Sequence, residues 1–420
     1  MRISIFGYGV TTTPLVSFLN QQGHNLYIYD DKFTQSHNDD FGNTLLPPKD
    51  FIPEQSDREI LSPGIPPSHS LVRKAQHLIS EYDYFYELLH NDMNTHKKDM
   101  PFIIWISGTN GKTTTTEMTT LLLEPFNAQS GGNIGTPLAT LYTNNPKVWV
   151  LETSSFTLHY THNASPRIYA LLPVKEDHIS WHGSFENYIE DKLSPLKRMD
   201  SHTYAIIPSE FAHHSLAKDF KGTLILYESS QDLAQKCSIS HQDIIFKEPF
   251  LLDAIIALSI AKFAFKADDM RLLNTFHIGA HRIAEFYDRF NRLWVDDSKG
   301  TNVDATIQAI ARYTHTHIIV ILGGDDKGAN LTPLFEFIKD KDIEIISIGA
   351  NEERLCAFAK KYNIAITPCQ DIYKAMDCIH KKRDTNAKDV VLLSPAAASL
   401  DQFSSYKQRG EIFTQLALHS

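Results

Sequence analysis

The feature that most constrains the fold is a repeated alternation of short apolar, β-branched runs with stretches of helical character along all 420 residues. Runs such as Phe102–Ser107, His317–Leu322 and Ile343–Ile348 have the length of strands, and turns rich in Gly, Asp or Ser follow many of them. This alternation is typical of parallel sheets whose strands are joined by crossover helices. Ligands of such sheets bind beyond the carboxyl ends of the strands, so the residues after each strand are the first candidates for a functional site.

The length of the chain exceeds that of one ordinary hydrophobic core, which predicts several domains. We expect an α/β protein of three domains. These are a Rossmann-like amino-terminal domain (1–92), a central phosphate-loop ATPase-type domain with a mostly parallel sheet (93–279), and a Rossmann-like carboxyl-terminal domain (280–420). The polar stretch Asn91–Met100, which carries paired lysines, is predicted to link the first two.

The net charge of −10 argues against nonspecific binding to nucleic acid or to an anionic membrane. A few local Lys and Arg residues can still dominate one cleft, so an anionic substrate is compatible with it. The four cysteines form no CxxC pair, which predicts reduced thiols. No apolar run approaches the ~18–20 residues needed to span a bilayer, and the first residues lack the apolar stretch of a signal peptide. We therefore expect a cytoplasmic protein.

The first predicted strand leads into a glycine turn at Gly7 and Gly9, and the second, Asn25–Tyr29, ends at Asp30. An acid about 20 residues after such glycines is typical of dinucleotide-binding folds. Thr12 stands where that pattern has its third glycine. An ordinary tight strand-to-helix turn explains the same residues, and both interpretations stay open here.

A stronger signal follows the strand Phe102–Ser107, where the chain continues Gly108-Thr109-Asn110-Gly111-Lys112-Thr113-Thr114. A strand, a glycine turn and then Lys and Thr at the start of a helix form the usual phosphate-binding loop. Backbone N–H groups and the helix dipole hold phosphate oxygens, Lys112 neutralises charge, and Thr113 can ligate Mg²⁺. Ile106 stands where the strict eight-residue pattern has Gly or Ala. A chance glycine turn is the alternative.

Three further residues near predicted strand or helix ends could join this loop. Glu152 ends the strand Val148–Leu151 and is a natural Mg²⁺ ligand, although the Thr-Ser-Ser sequence after it could simply cap a helix. His178 follows an acid at another strand end, which favours a metal or substrate role over a structural one. Lys192 lies on a predicted helix, and its spacing alone predicts a solvated lysine.

The third segment places polar residues after several strands. The carboxyl ends of its strands lead into Asp296–Asn302, Gly323–Gly328, Gly349-Ala350 and Ser394–Leu400. Several polar strand ends on one edge predict a second binding surface, whereas the structural alternative is that turns require Gly, Asp and Ser.

Taken in order, these motifs resemble the Mur ligases, the ATP-dependent amide ligases of bacterial peptidoglycan precursor synthesis. The resemblance covers essentially the whole chain. Its motifs are Gly108–Thr114, Gly132-Asn133-Ile134-Gly135, Leu151–Phe156, Asp177-His178, His281-Arg282, Asp297-Ser298-Lys299, Gly323-Gly324-Asp325 and Ser394-Pro395-Ala396. Within the family, the chain is most similar to the D-glutamate-adding member in three features. These are the amino-terminal glycine turn, the lack of an Asn-Pro-Arg signature between residues 300 and 400, and the run Ser394–Gly410. The L-alanine-adding member and a folylpolyglutamate synthetase-like ligase are the nearest alternatives.

The resemblance implies an ADP-forming ligase with ATP, two Mg²⁺ sites, UDP-N-acetylmuramoyl-L-alanine and D-glutamate, acting as a monomer. It implies catalytic roles for Lys112, His178, Lys192 and Lys299. ATP would be bound by Gly108, Thr109, Asn110, Gly111, Lys112, Thr113, Thr114, Arg282 and Asp297. The metal ligands would be Thr113, Glu152, His178 and Lys192 carbamylated by CO₂. The nucleotide substrate would contact Val10, Thr11, Asp30, Gly64 and Asn133, and D-glutamate would contact Thr301, Lys327, Ser399, Leu400 and Tyr406. Asp191 stands where the family usually has a small residue, and Asp31-Lys32 also departs from its pattern.

Two other classes of protein use parts of the same pattern. A nicotinamide-dependent oxidoreductase would explain Gly7, Gly9 and Asp30, but it leaves the phosphate loop without a purpose. A nucleotide-dependent switch would hydrolyse ATP without making a bond. The ligase interpretation predicts instead that ATP turnover depends on an amino-acid acceptor.

Overall fold

The computed structural model describes residues 1–383 and 389–419, except the side chains of residues 382 and 383. Contacts divide the chain into two compact units, the first covering Met1–Phe276 and the second starting at His277. The first unit contains two six-stranded sheets and the second unit one. The predicted α/β class with mostly parallel sheets is confirmed, while the exact domain limits stay a prediction.

Eighteen strands make up these sheets in the described part of the chain. The first sheet consists of β1 (Ile3–Phe6), β2 (Tyr27–Tyr29), β3 (His37–Asn38), β4 (Thr44–Leu46), β5 (Arg58–Leu61) and β6 (Leu78–Ser80). The second consists of β7 (Phe102–Ser107), β8 (Ala128–Gly132), β9 (Val148–Glu152), β10 (Ile168–Leu171), β11 (Tyr204–Pro208) and β12 (Thr223–Tyr227). The third consists of β13 (Ala284–Tyr287), β14 (Leu293–Asp296), β15 (Ile318–Gly323), β16 (Ile343–Ile348), β17 (Ala365–Pro368) and β18 (Val390–Leu393).

Helices connect most of the strands. Those of the first unit are α1 (Thr12–Gln21), α2 (Ser70–Lys74), α3 (Glu81–His96), α4 (Lys112–Leu123), α5 (Leu138–Asn144), α6 (Ser155–Tyr160), α7 (Ile179–His182), α8 (Phe185–Leu193), α9 (Ser215–Asp219), α10 (Ser230–Lys236), α11 (Phe250–Phe265) and α12 (Met270–Leu273). Those of the second unit are α13 (Val303–Ala311), α14 (Thr332–Ile338), α15 (Glu352–Tyr362), α16 (Ile372–Arg383) and α17 (Tyr406–Leu418). None of the helices in the described residues is both long and apolar enough to cross a bilayer.

The strand order places the phosphate loop in the middle of its sheet. The orders are β3-β4-β2-β1-β5-β6, β12-β11-β10-β7-β9-β8 and β13-β14-β18-β15-β16-β17, and only β3–β4 and β13–β14 pair antiparallel among these strands. β7 lies between β9 and β10, so the residues after these three parallel strands share one edge. Glu152 ends β9 and the loop of Gly108 follows β7, which brings distant parts of the sequence together.

An apolar core continues from the first sheet into the second. Buried residues such as Ile5, Leu19, Phe85 and Trp105 belong to one cluster. Parallel strands with helices on both faces are buried on both sides, which explains why their sequences are continuous apolar runs and not alternating ones. The core thereby holds the glycine turn after β1 and the phosphate loop after β7 in one compact unit.

The predicted linker Asn91–Met100 is wrong over its first part, because α3 continues to His96. Asp92 explains the extension, since its carboxylate accepts hydrogen bonds from Lys98 Nζ at 2.7 Å and from Tyr142 Oη at 2.9 Å. The polar face of the helix is therefore anchored by partners that its own sequence does not reveal. Lys97, with a φ of 53°, ends the helix in the left-handed conformation.

Candidate active site

The phosphate loop has the geometry that its sequence predicted. Gly108 and Gly111 adopt φ values of 147° and 84°, and a Cβ on Gly111 would lie 2.4 Å from Oδ1 of the buried Asp253. Only glycine fits that position without moving the neighbouring carboxylate. Lys112 begins α4, and its Nζ donates to the carbonyl oxygens of Gly108 at 2.9 Å and Thr109 at 2.8 Å. The ammonium group thus lies against the loop that a phosphate chain would occupy.

A second element of the site is the carboxylate of Glu152, which is 2% exposed. Its Oε2 accepts a hydrogen bond from Thr113 Oγ1 at 2.8 Å, and its Oε1 accepts one from Asn133 Nδ2 at 2.8 Å. Both of these donors are neutral. Among the described residues, no group of three or more His, Cys, Asp or Glu side chains has an arrangement that could hold a metal ion by itself. One buried carboxylate and one hydroxyl beside a phosphate loop fit Mg²⁺, which binds one or two carboxylates together with substrate phosphates.

Lys192 on α8 is 1% exposed, so the prediction of a solvated lysine from its spacing is wrong. Its Nζ donates to the carbonyl oxygen of Gly108 at 2.8 Å and lies 4.7 Å from the centroid of the Tyr188 ring. Burial holds the pKa of Lys192 well below its usual value, and the positive charge of Lys112 acts in the same direction. A buried amine of lowered pKa directly beneath the phosphate loop is a candidate for chemistry and not a surface charge.

His178 stands immediately before α7 with a φ of 54°, a left-handed conformation that is uncommon for a non-glycine residue. Its ring lies 4.8 Å from that of Phe156, and its Nε2 is 3.4 Å from Asp177 Oδ2. Partial burial lowers the pKa of His178, the charges of Lys112 and Lys192 contribute in the same direction, and Asp177 opposes them. The neutral imidazole that results is the form that can bind a metal.

A chain of hydrogen bonds joins the helices next to these residues. Ser155 Oγ lies 2.9 Å from His182 Nε2, His182 Nδ1 lies 2.7 Å from Asp191 Oδ2, and Asp191 Oδ1 lies 2.9 Å from His159 Nδ1. Burial tends to raise the pKa of Asp191, but the hydrogen bonds from His159 and His182 outweigh it, so the pKa is lowered. Asp191, the residue that departs from the family pattern, is therefore the centre of a His–Asp–His cluster (His159, Asp191 and His182) that links α6 and α7 to α8.

Asp191→Ala is expected to lower the free energy of unfolding by about 2 kcal/mol, because it leaves Nδ1 of the buried His182 ring without its partner. Chemical denaturation measures the difference. Glu190→Ala is the matched control on the same helix, because the ion pair of Glu190 with Lys197 is about half exposed and should contribute below about 0.5 kcal/mol. Equal effects of the two substitutions would contradict a structural role for the cluster.

A cavity of about 160 Å³ lies where the first sheet meets the second. It is lined by Val10 and Thr11 from the glycine turn, by Asn133 after β8, and by Tyr160 of α6. Three of the five residues assigned to the nucleotide substrate, Val10, Thr11 and Asn133, therefore share one cavity. Because Asn133 also donates to Glu152, one wall of the cavity is connected to the candidate metal site.

The two other residues assigned to the nucleotide lie outside the lining of this cavity. Asp30 Oδ2 accepts from the backbone N–H of Tyr8 at 2.6 Å, so this carboxylate stabilises the glycine turn. The carbonyl oxygen of Gly64 accepts from Trp181 Nε1 at 3.2 Å. Their backbone positions are consistent with the rim of a larger site, and their roles toward a ligand stay a prediction.

Several of the site residues predicted for the second unit lie at the carboxyl ends of β14 and β18. Asp297 accepts from Ser394 Oγ at 2.6 Å and from the backbone N–H of Ile283 at 3.2 Å, and burial raises its pKa to about 7. Lys299 Nζ lies 4.4 Å from the centroid of the Tyr406 ring. Two candidates for a common site, Lys299 and Tyr406, are thus in contact.

The remaining predicted residues of the second unit occupy loops. Arg282 lies just before β13 and Thr301 just before α13, while Lys327 has a φ of 50° in the turn after β15. Ser399 is buried, whereas Leu400 is 70% exposed. An exposed apolar side chain beside buried polar groups is compatible with a ligand surface, and the role of each residue stays a prediction.

Sequence reasoning assigned no individual role to two buried charges, one in each unit. Asp253 on α11 accepts from Thr115 Oγ1 at 2.9 Å, behind the phosphate loop. Arg409 on α17 donates to Ser298 Oγ at 3.0 Å and to the carbonyl oxygen of Ala397 at 3.2 Å, and so connects two loops of the second unit. The contacts Asp253–Thr115 and Arg409–Ser298 each join residues more than 100 positions apart, so the local sequence does not reveal them.

Comparisons with known proteins agree with this geometry. Residues 106–242 match the Mur ligase middle domain. The chain is 49% identical over 417 residues to UDP-N-acetylmuramoylalanine--D-glutamate ligase of Campylobacter jejuni strain RM1221, covering 99% of both chains. It is 44% identical over 428 residues to the protein of the same name from Helicobacter pylori strain HPAG1, covering all of both. Among solved structures, MurF from Acinetobacter baumannii shares the fold, with a TM-score of 0.63 at 14% identity over 100% of this chain and 90% of that one. The family resemblance inferred from the motifs is confirmed, and the chain belongs to the Mur ligases, in the group of UDP-N-acetylmuramoylalanine--D-glutamate ligases.

Proposed function

We propose that this protein joins D-glutamate to UDP-N-acetylmuramoyl-L-alanine through an amide bond, with conversion of ATP to ADP and phosphate, in peptidoglycan precursor synthesis. The observation that carries the proposal is the connection of the phosphate loop to the substrate cavity. Thr113 and Asn133 donate to opposite oxygens of Glu152, and Asn133 also lines the cavity. A phosphoryl donor and a carboxylate acceptor can therefore meet beside one buried acid.

The first chemical step makes the carboxylate reactive. A carboxylate oxygen of the alanyl group attacks the γ-phosphorus of ATP, the bond from that phosphorus to the β,γ-bridging oxygen breaks, and ADP leaves. The acyl phosphate that forms has a good leaving group. Catalysis of phosphoryl transfer rests on positioning and charge neutralisation, which suits the ammonium group of Lys112 against the loop.

The second step makes the amide. The neutral amine of D-glutamate attacks the acyl carbon, a tetrahedral intermediate forms, and its collapse expels phosphate while the amine nitrogen loses a proton. Holding the anionic reactants together requires cationic side chains. We assign Lys299 to this role, and we assign Thr301, Lys327, Ser399, Leu400 and Tyr406 to the amino-acid pocket.

Mg²⁺ would be held by Thr113 and Glu152, and it would supply charge neutralisation for the phosphate oxygens. We further assign His178 and carbamylated Lys192 to a second Mg²⁺, and Arg282 and Asp297 to ATP. The pKa of His178 and the pKa of Lys192 are both lowered, chiefly by burial, which favours the neutral form of each side chain. A neutral amine is the form that reacts with CO₂.

The test is ADP release by the purified protein with UDP-N-acetylmuramoyl-L-alanine, ATP and a panel of D- and L-amino acids. We expect turnover with D-glutamate and none without an acceptor. Turnover with L-alanine on the nucleotide that lacks alanine would move the assignment to the L-alanine-adding member. ATP hydrolysis that is independent of any amino acid would favour a nucleotide switch. Sedimentation of the same preparation tests the proposed monomer.

A further inference from the structure

Glu81 is a substrate-cavity residue that the sequence motifs did not reveal. It is the first residue of α3, and it lines the cavity together with Val10, Thr11 and Asn133. Its Oε1 is buried and has no hydrogen-bond partner within residues 1–383 and 389–419. A buried polar atom without a partner is destabilising, so its presence in a cavity points to a ligand group that forms a hydrogen bond with it.

Three other polar side chains of the cavity, Tyr82, Asn133 and Tyr160, already have partners. Tyr82 Oη donates to the carbonyl oxygen of Glu152 at 3.2 Å, and Tyr160 Oη donates to the carbonyl oxygen of Ile65 at 2.8 Å. Asn133 Nδ2 donates to Glu152. Among the described residues that line the cavity there is no lysine or arginine. A protonated Glu81 would therefore supply a hydrogen-bond donor that no neighbouring side chain uses.

The surroundings of Glu81 favour the neutral acid. Burial raises the pKa of Glu81 to about 8, and no cationic side chain of the lining opposes this shift. The other titratable side chains of the lining are Tyr82 and Tyr160, Glu152 lies beyond Tyr82, and Asp83 follows on the same helix; none of these groups carries a positive charge. At neutral pH the carboxyl group has one O–H donor and one carbonyl acceptor.

The position of the cavity indicates which part of the substrate it receives. The lining includes Val10 and Thr11 of the glycine turn, to which the UDP part is assigned, and Asn133, which is bonded to the candidate metal site. The uncharged N-acetylated sugar lies between the diphosphate and the reacting carboxylate in the proposed substrate. A cavity without cationic side chains suits this uncharged part better than a phosphate.

We propose that Glu81, as a neutral carboxylic acid, donates a hydrogen bond to an oxygen of the N-acetylated sugar of the nucleotide substrate and so helps to select it. This inference rests on the proposed function. The competing interpretation is purely structural, since an acidic residue in the first turn of a helix also stabilises the helix dipole. The two interpretations differ in which kinetic constant changes.

The test compares Glu81→Gln with Glu81→Ala in steady-state ADP release. Glutamine has a similar size and keeps a donor and an acceptor, so KM for the nucleotide substrate is expected to stay within about threefold. Alanine removes the donor and is expected to raise that KM about tenfold, as for the loss of one hydrogen bond, with little change in kcat or in KM for ATP and D-glutamate. A structural role alone would lower the melting temperature without this selective change in KM.

The pH dependence gives a second readout that does not need the alanine variant to fold. The donor is lost when Glu81 ionises, so KM of the unmodified protein for the nucleotide should rise as pH increases above about 8, and KM of Glu81→Gln should not follow it. An unchanged KM in Glu81→Ala, or parallel pH profiles of the unmodified protein and Glu81→Gln, would overturn the inference. Failure of the proposed function is distinguishable, because the unmodified protein would then release no ADP with UDP-N-acetylmuramoyl-L-alanine and D-glutamate.

Discussion

Lys112→Ala is expected to lower kcat by about 1,000-fold while the protein stays folded. Lys112 Nζ donates to the carbonyl oxygens of Gly108 and Thr109, and both belong to the loop itself. Its removal takes away the positive charge that faces the phosphate chain during transfer. Loss of one preorganised electrostatic group in an active site typically costs this much in rate.

The measurement is single-turnover ADP formation at saturating ATP, together with the melting temperature. Lys147→Ala is the matched control, because Lys147 is exposed in the same unit, and we expect it to retain full activity. A variant of Lys112 that is folded and turns over at the unmodified rate would exclude the phosphate loop as the site of transfer. Lys112→Arg should not restore the rate, because the planar guanidinium group is bulkier than the compact ammonium group that lies against the phosphate loop.

The strand framework and the phosphate loop could be predicted because their signals are local. The predicted strands Phe102–Ser107 and Ile343–Ile348 coincide with β7 and β16. Both are rich in isoleucine, and most of their residues become buried on both faces. The prediction Asn25–Tyr29 is longer than β2, Tyr27–Tyr29, because β2 begins where its two neighbours, β1 and β4, pair with it at Tyr27, and its own sequence does not set that limit.

The charged groups inside the site could not be predicted in the same way. Lys192 has the local sequence of a solvated helical residue, and its burial depends on Gly108, 84 positions away. Asp253 contacts Thr115 from a helix 138 positions away. Glu81 resembles an ordinary first-turn acid until the cavity beside it is known. Such contacts arise from the packing of the sheets, and no periodicity or short motif encodes them.

The departure from the family pattern at Asp191 also depends on contacts between distant segments. The sequence indicated only that a charged residue stood where a small one is usual. The structure shows two histidines, His159 and His182, within hydrogen-bond distance of its carboxylate. A substitution that is unexplained along the sequence is thus compensated by residues on two other helices.

Lys192→Ala is expected to lower kcat by at least about 100-fold, the scale typical of a residue that serves a metal site. The nitrogen of the neutral amine would attack the carbon of CO₂, and a proton would leave as the N–C bond forms. This reaction needs the deprotonated amine, which the lowered pKa of Lys192 supplies. Because the deprotonated fraction of the amine increases with pH, raising the pH from 6 to 8 should increase the amount of carbamate. Removing CO₂ should reduce activity reversibly.

Carbon-13 NMR of the protein with labelled bicarbonate detects the carbamate, and Lys192→Ala should lack the signal. Lys197→Ala is the control, because that lysine is half exposed in a pair with Glu190 and should keep both the signal and the activity. The structure also offers a competing role, since the Lys192 ammonium donates to Gly108 and could act only by bracing the loop. Loss of activity in Lys192→Ala without any carbamate in the unmodified protein would contradict the carbamate and favour bracing through the hydrogen bond to Gly108.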